Sequence, residues 1–198
     1  MKVVILGAGA WGTAMAVQAA RHLQGEVCLW SRSAIQIDEI QKNGENCTYL
    51  PGIELPKNLR LESDFTKVIK KLTSNDLLVI ATPMSGLSET IAQVLKAAEH
   101  PLNIIWLCKG LEPATALLPH QVVEREDRLH SHGISHSYGV LSGPSFATEV
   151  GSGMPCALTV ASDSQELVAL VQQVFHYGNM RIYGSSDIVG VELGGAIK

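Results

Sequence analysis

The sequence predicts an α/β protein built on a doubly wound, mostly parallel sheet. Short uninterrupted aliphatic runs alternate with stretches of helical spacing along the whole chain, which is the pattern of strands covered by helices on both faces. The first such run breaks into Gly-x-Gly-x-x-Gly at Gly7, Gly9 and Gly12. The residues suited to chemistry fall just after strand-like runs, at the carboxyl edge where such sheets bind their ligands.

The first element is the aliphatic run over residues 3–6, the signature of a strand buried on both faces. After the glycines, Met15, Ala16, Ala19 and Leu23 recur at helical spacing. Each glycine has its own reason: Gly7 allows the tight turn, Gly9 lets a diphosphate approach the backbone, and Gly12 lets helix and strand pack closely. The first turn of that helix points unpaired N–H groups and about half a positive charge at a phosphate. A dinucleotide site is therefore expected here, against the alternative of a merely tight turn. The second strand, Glu26–Trp30, ends in Ser31-Arg32-Ser33, where an NAD-selective site would place a carboxylate on the ribose 2′-hydroxyl. Arg32 can instead pair with a 2′-phosphate, a charge-assisted bond of about 1.5–3 kcal/mol that favours NADP (as NADPH) over NAD. The other reading of Arg32 is a solvated surface side chain.

A helix is expected over residues 34–42, then a surface loop over 43–56 on the strength of Gly44, Asn46, Pro51, Gly52 and Pro56, and a short strand near 59–61. Residues 76–81 read as a buried strand closed by Thr82-Pro83. Leu87, Ile91, Val94, Leu95 and Ala98 then share a helical face, and Pro101 ends it. Residues 103–108 form the next buried strand and deliver Lys109-Gly110 to its carboxyl end. A helix near 117–129 leads into a His- and Ser-rich turn, where His130, His132 and His136 lack acidic or cysteine partners and read as polar loop. Strands follow at 138–141, 156–160 and 180–183. Between the last two, Leu167, Leu170, Val171, Val174 and Phe175 make a core-facing stripe. A further helix begins near Ser185, with Ile188, Val191 and Ile197 on one side.

With 46% hydrophobic and 17% charged residues, the 198-residue chain has enough apolar content for a sizeable core and too little charge for a disordered one. A net charge of −4 offers no attraction for nucleic acid or an anionic membrane, and no apolar run is long enough to span a bilayer. The opening directly on a strand leaves no room for a signal peptide, so a cytoplasmic location is expected. Cys28, Cys47, Cys108 and Cys156 have no paired spacing, and three lie in strand-like runs. They read as small buried hydrophobes in a reducing compartment, and no metal site is expected.

Five stretches occur in order that carry a more specific message. They are residues 7–12, Asn46-Cys-Thr-Tyr-Leu-Pro51-Gly, Trp106-Leu-Cys-Lys109-Gly110-Leu, Ser142-Gly-Pro-Ser-Phe-Ala147-Thr-Glu149-Val, and Gly190-Val-Glu-Leu-Gly-Gly-Ala-Ile-Lys198. Together they resemble the NAD(P)-dependent glycerol-3-phosphate dehydrogenases of the bacterial type, and the last two are the most specific. The resemblance implies a Rossmann-like nucleotide-binding domain over residues 1–184, with 185–198 as the truncated start of an all-helical substrate domain. It implies nucleotide contacts from Gly7, Gly9, Ala10, Trp11, Gly12, Arg32, Lys109 and Ala147. It implies a pocket for glycerol 3-phosphate or dihydroxyacetone phosphate lined by Lys109, Gly143, Ser145 and Lys198, with Lys198 as the proton-transferring base. An acidic partner for that lysine, an arginine for the substrate phosphate and any homodimer contact would come from the second domain. The residues by themselves leave open another two-domain reductase of hydroxy acids or ketones, or a nucleotide-binding module without catalysis.

Overall fold

The computed structural model describes residues 1–197. Strands β1 (Lys2–Leu6), β2 (Glu26–Trp30), β5 (Leu59–Glu62), β6 (Leu77–Ile80), β7 (Asn103–Trp106), β8 (Ser137–Ser142), β9 (Cys156–Ala161) and β10 (Met180–Ser185) form one sheet in the order β10-β9-β8-β7-β6-β1-β2-β5. Every neighbouring pair is parallel except β8 and β9. The expected doubly wound architecture is borne out. The chain leaves β1 in one direction, toward β2, and returns to β6 on the other side, so a crevice opens above β1 and β6.

Alternation along the strands divides the interior into two cores. Val3, Ile5, Val27, Leu29, Leu77, Val79, Ile105 and Leu141 face α1 (Ala10–His22), α6 (Ala147–Ser152) and α7 (Gln165–Phe175). Val4, Leu6, Cys28, Leu78, Ile80, Ile104, Trp106 and Val140 face α3 (Phe65–Ile69), α4 (Leu87–Ala97), α5 (Pro119–His130) and α8 (Ile188–Ala196). The central strands are buried on both faces, which is why they read as unbroken aliphatic runs.

Several expectations need correction. Residues 43–56 are not simply a surface loop. After α2 (Ala34–Asn43), β3 (Glu45–Asn46) and β4 (Leu50–Glu54) make an antiparallel hairpin that places Leu50 at 0% exposure against α1 and α6. Proline and glycine reported the bend there and hid the buried anchor. The short helix α3 was not expected at all; Asp64 caps it by accepting from the Lys67 N–H at 3.0 Å. His130 belongs to the last turn of α5 rather than to a loop, beside Glu126. His136 is half-buried, and its Nδ1 accepts from the Leu102 N–H at 3.1 Å. Ile197 does not share the buried side of Ile188 and Val191, being 85% exposed. Cys28 and Cys108 are buried as expected, while Cys47 is exposed. Among the described residues no helix is long and apolar enough to cross a membrane.

Candidate active site

The glycine turn is closely packed at Gly7 and Gly12 and open at Gly9. Gly7 sits at φ +119°, and a Cβ there would lie 2.9 Å from the Ala81 carbonyl oxygen. A Cβ on Gly12 would stand 1.8 Å from the Gly7 carbonyl oxygen, so helix and turn can meet only without it. Gly9 differs: its backbone is extended, and a Cβ would meet nothing within 4 Å. Its hydrogen would point into open space beside the first turn of α1, where Ala10, Trp11 and Gly12 present their N–H groups. The Ala8 carbonyl accepts from Gln36 Nε2 at 2.8 Å and from Asn46 Nδ2 at 3.0 Å. Asn46, 1% exposed, donates also to Thr13 Oγ1 at 2.8 Å, and so ties the hairpin to turn and helix together.

Arg32 follows β2 and is exposed, but its neighbours are ordered. Ser31 donates to Gln36 Oε1 at 2.6 Å, and Ser33 caps α2 by accepting from the Gln36 N–H at 3.2 Å. On the other side of the turn, beyond β6, Lys109 follows β7. Its ammonium donates to the Gly143 carbonyl at 3.0 Å and lies 5.9 Å from the centre of the Trp11 ring. Strands β7 and β2 are three places apart in the sheet, roughly 14 Å by the usual strand spacing, and Lys109 and Arg32 follow their carboxyl ends. That separation suits the two ends of a dinucleotide laid over the turn.

Lys109, Trp11 and Gly143 are thus brought together, lining a small cleft with Met15, Leu107 and Ser142. Gly143 packs on β9, where a Cβ would lie 2.7 Å from the Ala157 carbonyl oxygen. Ser145 is buried at 6% exposure, and Ala147 opens α6. Helix α6 is held against α1 by Gln18, which donates to the Val150 carbonyl, and by Arg21, which donates to Gly151 at 2.8 Å. The cationic Arg21 meets the negative end of α6. Lys198 lies outside the described residues.

Sequence reasoning gave Gln36 and Glu192 no role, read Asn46 only as a loop signal and part of a motif, and Ser142 only as the start of one. Ser142 Oγ is buried, with no hydrogen-bond partner among the described residues. Glu192 is 4% exposed on α8 and accepts from Trp106 Nε1 at 2.9 Å. Burial, with Glu192 nearby, pushes the Cys108 thiol up to about 12, so it stays protonated and inert. A lone carboxylate in the otherwise apolar residues 188–197 was the one available signal for Glu192.

A mostly parallel sheet with an open glycine turn at its switch point, flanked by Arg32 and Lys109, defines a Rossmann-like dinucleotide-binding unit. Residues 2–168 match the family described as NAD-dependent glycerol-3-phosphate dehydrogenase N-terminus, and the chain belongs to that family. It is 73% identical over 199 residues to a glycerol-3-phosphate dehydrogenase (NAD(P)+) of Polynucleobacter necessarius subsp. necessarius, covering 100% of this chain and 58% of that protein. It is 47% identical over 204 residues to the protein of the same name in Cupriavidus metallidurans, with 100% and 59% coverage. Among solved structures, glycerol-3-phosphate dehydrogenase from Coxiella burnetii superposes with a TM-score of 0.87 at 33% identity, over 98% of this chain and 56% of that one. The chain therefore spans a little under three fifths of the length of the curated relatives it matches.

Proposed function

We propose that this chain is the nucleotide-binding part of an enzyme that interconverts sn-glycerol 3-phosphate and dihydroxyacetone phosphate with NAD(P). The observation that carries the reading is the meeting of Lys109, Trp11 and Gly143 at the carboxyl edge beside the open glycine turn, in a chain of this family. The space beside Gly9 and the N–H groups of the first turn of α1 fit a diphosphate. Arg32 would then meet the adenosine 2′-phosphate, and Ala10, Trp11, Lys109 and Ala147 the rest of the nucleotide. The bound nicotinamide supplies or accepts the hydride.

The chain's own residues orient the substrate and handle the proton. In the oxidative direction the C–H carbon loses a hydride and the hydroxyl loses a proton, and Lys198 takes that proton as base. Lys109, held at the Gly143 carbonyl, brings its positive charge to the substrate oxygen on which negative charge develops. Two cations close together lower each other's proton affinity, which draws a lysine base toward the working pH. Gly143 and Ser145 would line the substrate pocket with them. Buried free thiols at Cys28 and Cys108 support a reducing, cytoplasmic setting. In this reading residues 1–184 bind nucleotide and a second domain would bring the phosphate-gripping arginine and the acidic partner of Lys198; residues 188–196, which the resemblance assigns to the start of that domain, pack as α8 against β8, β9 and α5.

The test follows NADPH absorbance with dihydroxyacetone phosphate present. The 198-residue chain should bind nucleotide without turnover, because losing the positioning of base and substrate forfeits on the order of 7–11 kcal/mol of barrier lowering. A protein carrying this sequence with the further segment its relatives have should turn over, and Lys198→Met in it should not. Turnover by the 198-residue chain alone, or by Lys198→Met, would sink the reading.

A further inference from the structure

Helix α8 is apolar nearly all round, and Glu192 is its one charged residue. The carboxylate is buried and spends its oxygens on two other elements. Oε1 accepts from Trp106 Nε1 at 2.9 Å and from the His120 backbone N–H at 2.9 Å, while Oε2 lies 2.5 Å from His120 Nδ1. Trp106 is the last residue of β7, three residues before Lys109, and His120 is the second residue of α5. Helix α5 opens on Leu118 and Pro119, neither of which can cap it with a side-chain oxygen. Gln121 reaches back only to the Leu118 N–H, at 2.9 Å. The open N–H of His120 is met by a carboxylate from another helix, at the end where the helix dipole favours negative charge. A carboxylate this deeply buried persists only when hydrogen-bonded, and withdrawing it would strand two N–H donors. The contact therefore selects one seat for α8.

That seat decides how α8 meets the site. Gly195 lies three residues further along, on the same face as Glu192. A Cβ on Gly195 would stand 2.6 Å from Ser142 Oγ and 3.6 Å from Lys109 Cγ, so the helix backbone rests directly on both residues. We propose that Glu192 is a positioning residue of this site: by docking on Trp106 and His120 it fixes the rotation and axial place of α8, and thereby holds Gly195 against Ser142 and the stem of Lys109. Its effect on turnover rests on the functional reading above; the docking itself does not. Because the glycine turn is held by Asn46 and Gln36 and not by α8, displacing α8 acts chiefly on turnover and reaches the nucleotide only through its Lys109 contact.

The experiment uses a protein carrying this sequence with the further segment of its relatives. Glu192→Leu should lower kcat for dihydroxyacetone phosphate about twentyfold and raise the NADPH KM by no more than about fivefold, the split expected when the glycine turn keeps its hold on the nucleotide and only the Lys109 contact is disturbed. Glu192→Gln keeps an acceptor oxygen for Trp106 and His120 and should recover kcat to within about threefold of wild type. Wild-type kcat in Glu192→Leu, or kcat and nucleotide binding lost together with the folded fraction, would overturn the proposal. Amide hydrogen exchange over residues 188–196 decides it independently of activity. Faster exchange in the Leu variant but not in the Gln variant supports the docking, and unchanged exchange in both overturns it. An inactive wild-type protein would count against the functional reading, and the exchange result would still decide the role of Glu192.

Discussion

The side-chain amide of Asn46 donates to the carbonyl oxygen of Ala8 at 3.0 Å, across 38 residues of sequence, and fastens the β3–β4 hairpin to the glycine turn. The same nitrogen reaches Thr13 Oγ1, and Asn46 Oδ1 accepts from the Tyr49 N–H at 3.3 Å. Asn46→Ala removes all three bonds at a buried position, while Ala8 keeps only Gln36. The expected loss is about 1–3 kcal/mol of stability, read by urea denaturation. Nucleotide affinity should fall about tenfold, because the turn is no longer held in its binding shape. Unchanged affinity in a destabilised variant would show that the clamp serves the fold alone.

Gly9 and Gly12 should separate binding from folding. Gly9→Val puts a side chain into open space beside the N-terminus of α1, in an extended backbone that valine tolerates. The variant should keep its circular dichroism and lose nucleotide binding in calorimetry, since the diphosphate and the isopropyl group claim the same volume. Gly12→Ala should instead fail in folding, its Cβ colliding with the Gly7 carbonyl. Normal binding by a folded Gly9→Val protein would remove the glycine turn as the phosphate site.

Arg32 should read the nucleotide's 2′-phosphate. It stands exposed between two ordered serines at the end of β2. Arg32→Ala should cost NADPH about 1.5–3 kcal/mol of binding and NADH much less. Calorimetric titration of both nucleotides measures the difference, and equal losses would assign Arg32 to the solvent.

Glu62, at the end of β5, should give the fold an acid-sensitive component. The Lys67 ammonium at 2.6 Å, the Asp64 and Ser63 N–H groups and Arg60 hold its carboxyl down to about 2. The folded value lies below the ordinary carboxylate value near 4.3, so the contribution is complete above that pH and is lost as pH falls toward 2. Lys67 and Arg60 are partly exposed, which limits the effect to about 1 kcal/mol. Glu62→Gln should therefore be less stable than wild type at neutral pH, and the gap should close near pH 2. A gap that persists there would point to packing instead of charge.

What the sequence determined by itself was whatever depends on neighbours along the chain. The aliphatic runs of β1, β6 and β7 announced strands buried on both faces, because such strands need no polar alternation. The spacing of Gly7, Gly9 and Gly12 announced the turn, because a strand can pass into a closely packed helix there only without side chains. The alternation of these elements placed Arg32 and Lys109 at one edge. The tertiary structure decided what depends on residues far apart. It turned residues 45–54 into a hairpin whose Leu50 is core and whose Asn46 holds the turn, set β9 antiparallel to β8, and spent Glu192 on Trp106 and His120. Apart from the pairing within the hairpin, which is local, each of these is a contact across 38 or more residues or a choice of strand direction, and neither leaves a periodicity in the chain. A buried polar group shows its purpose only when its partner stands beside it, and packing alone brings the partner there.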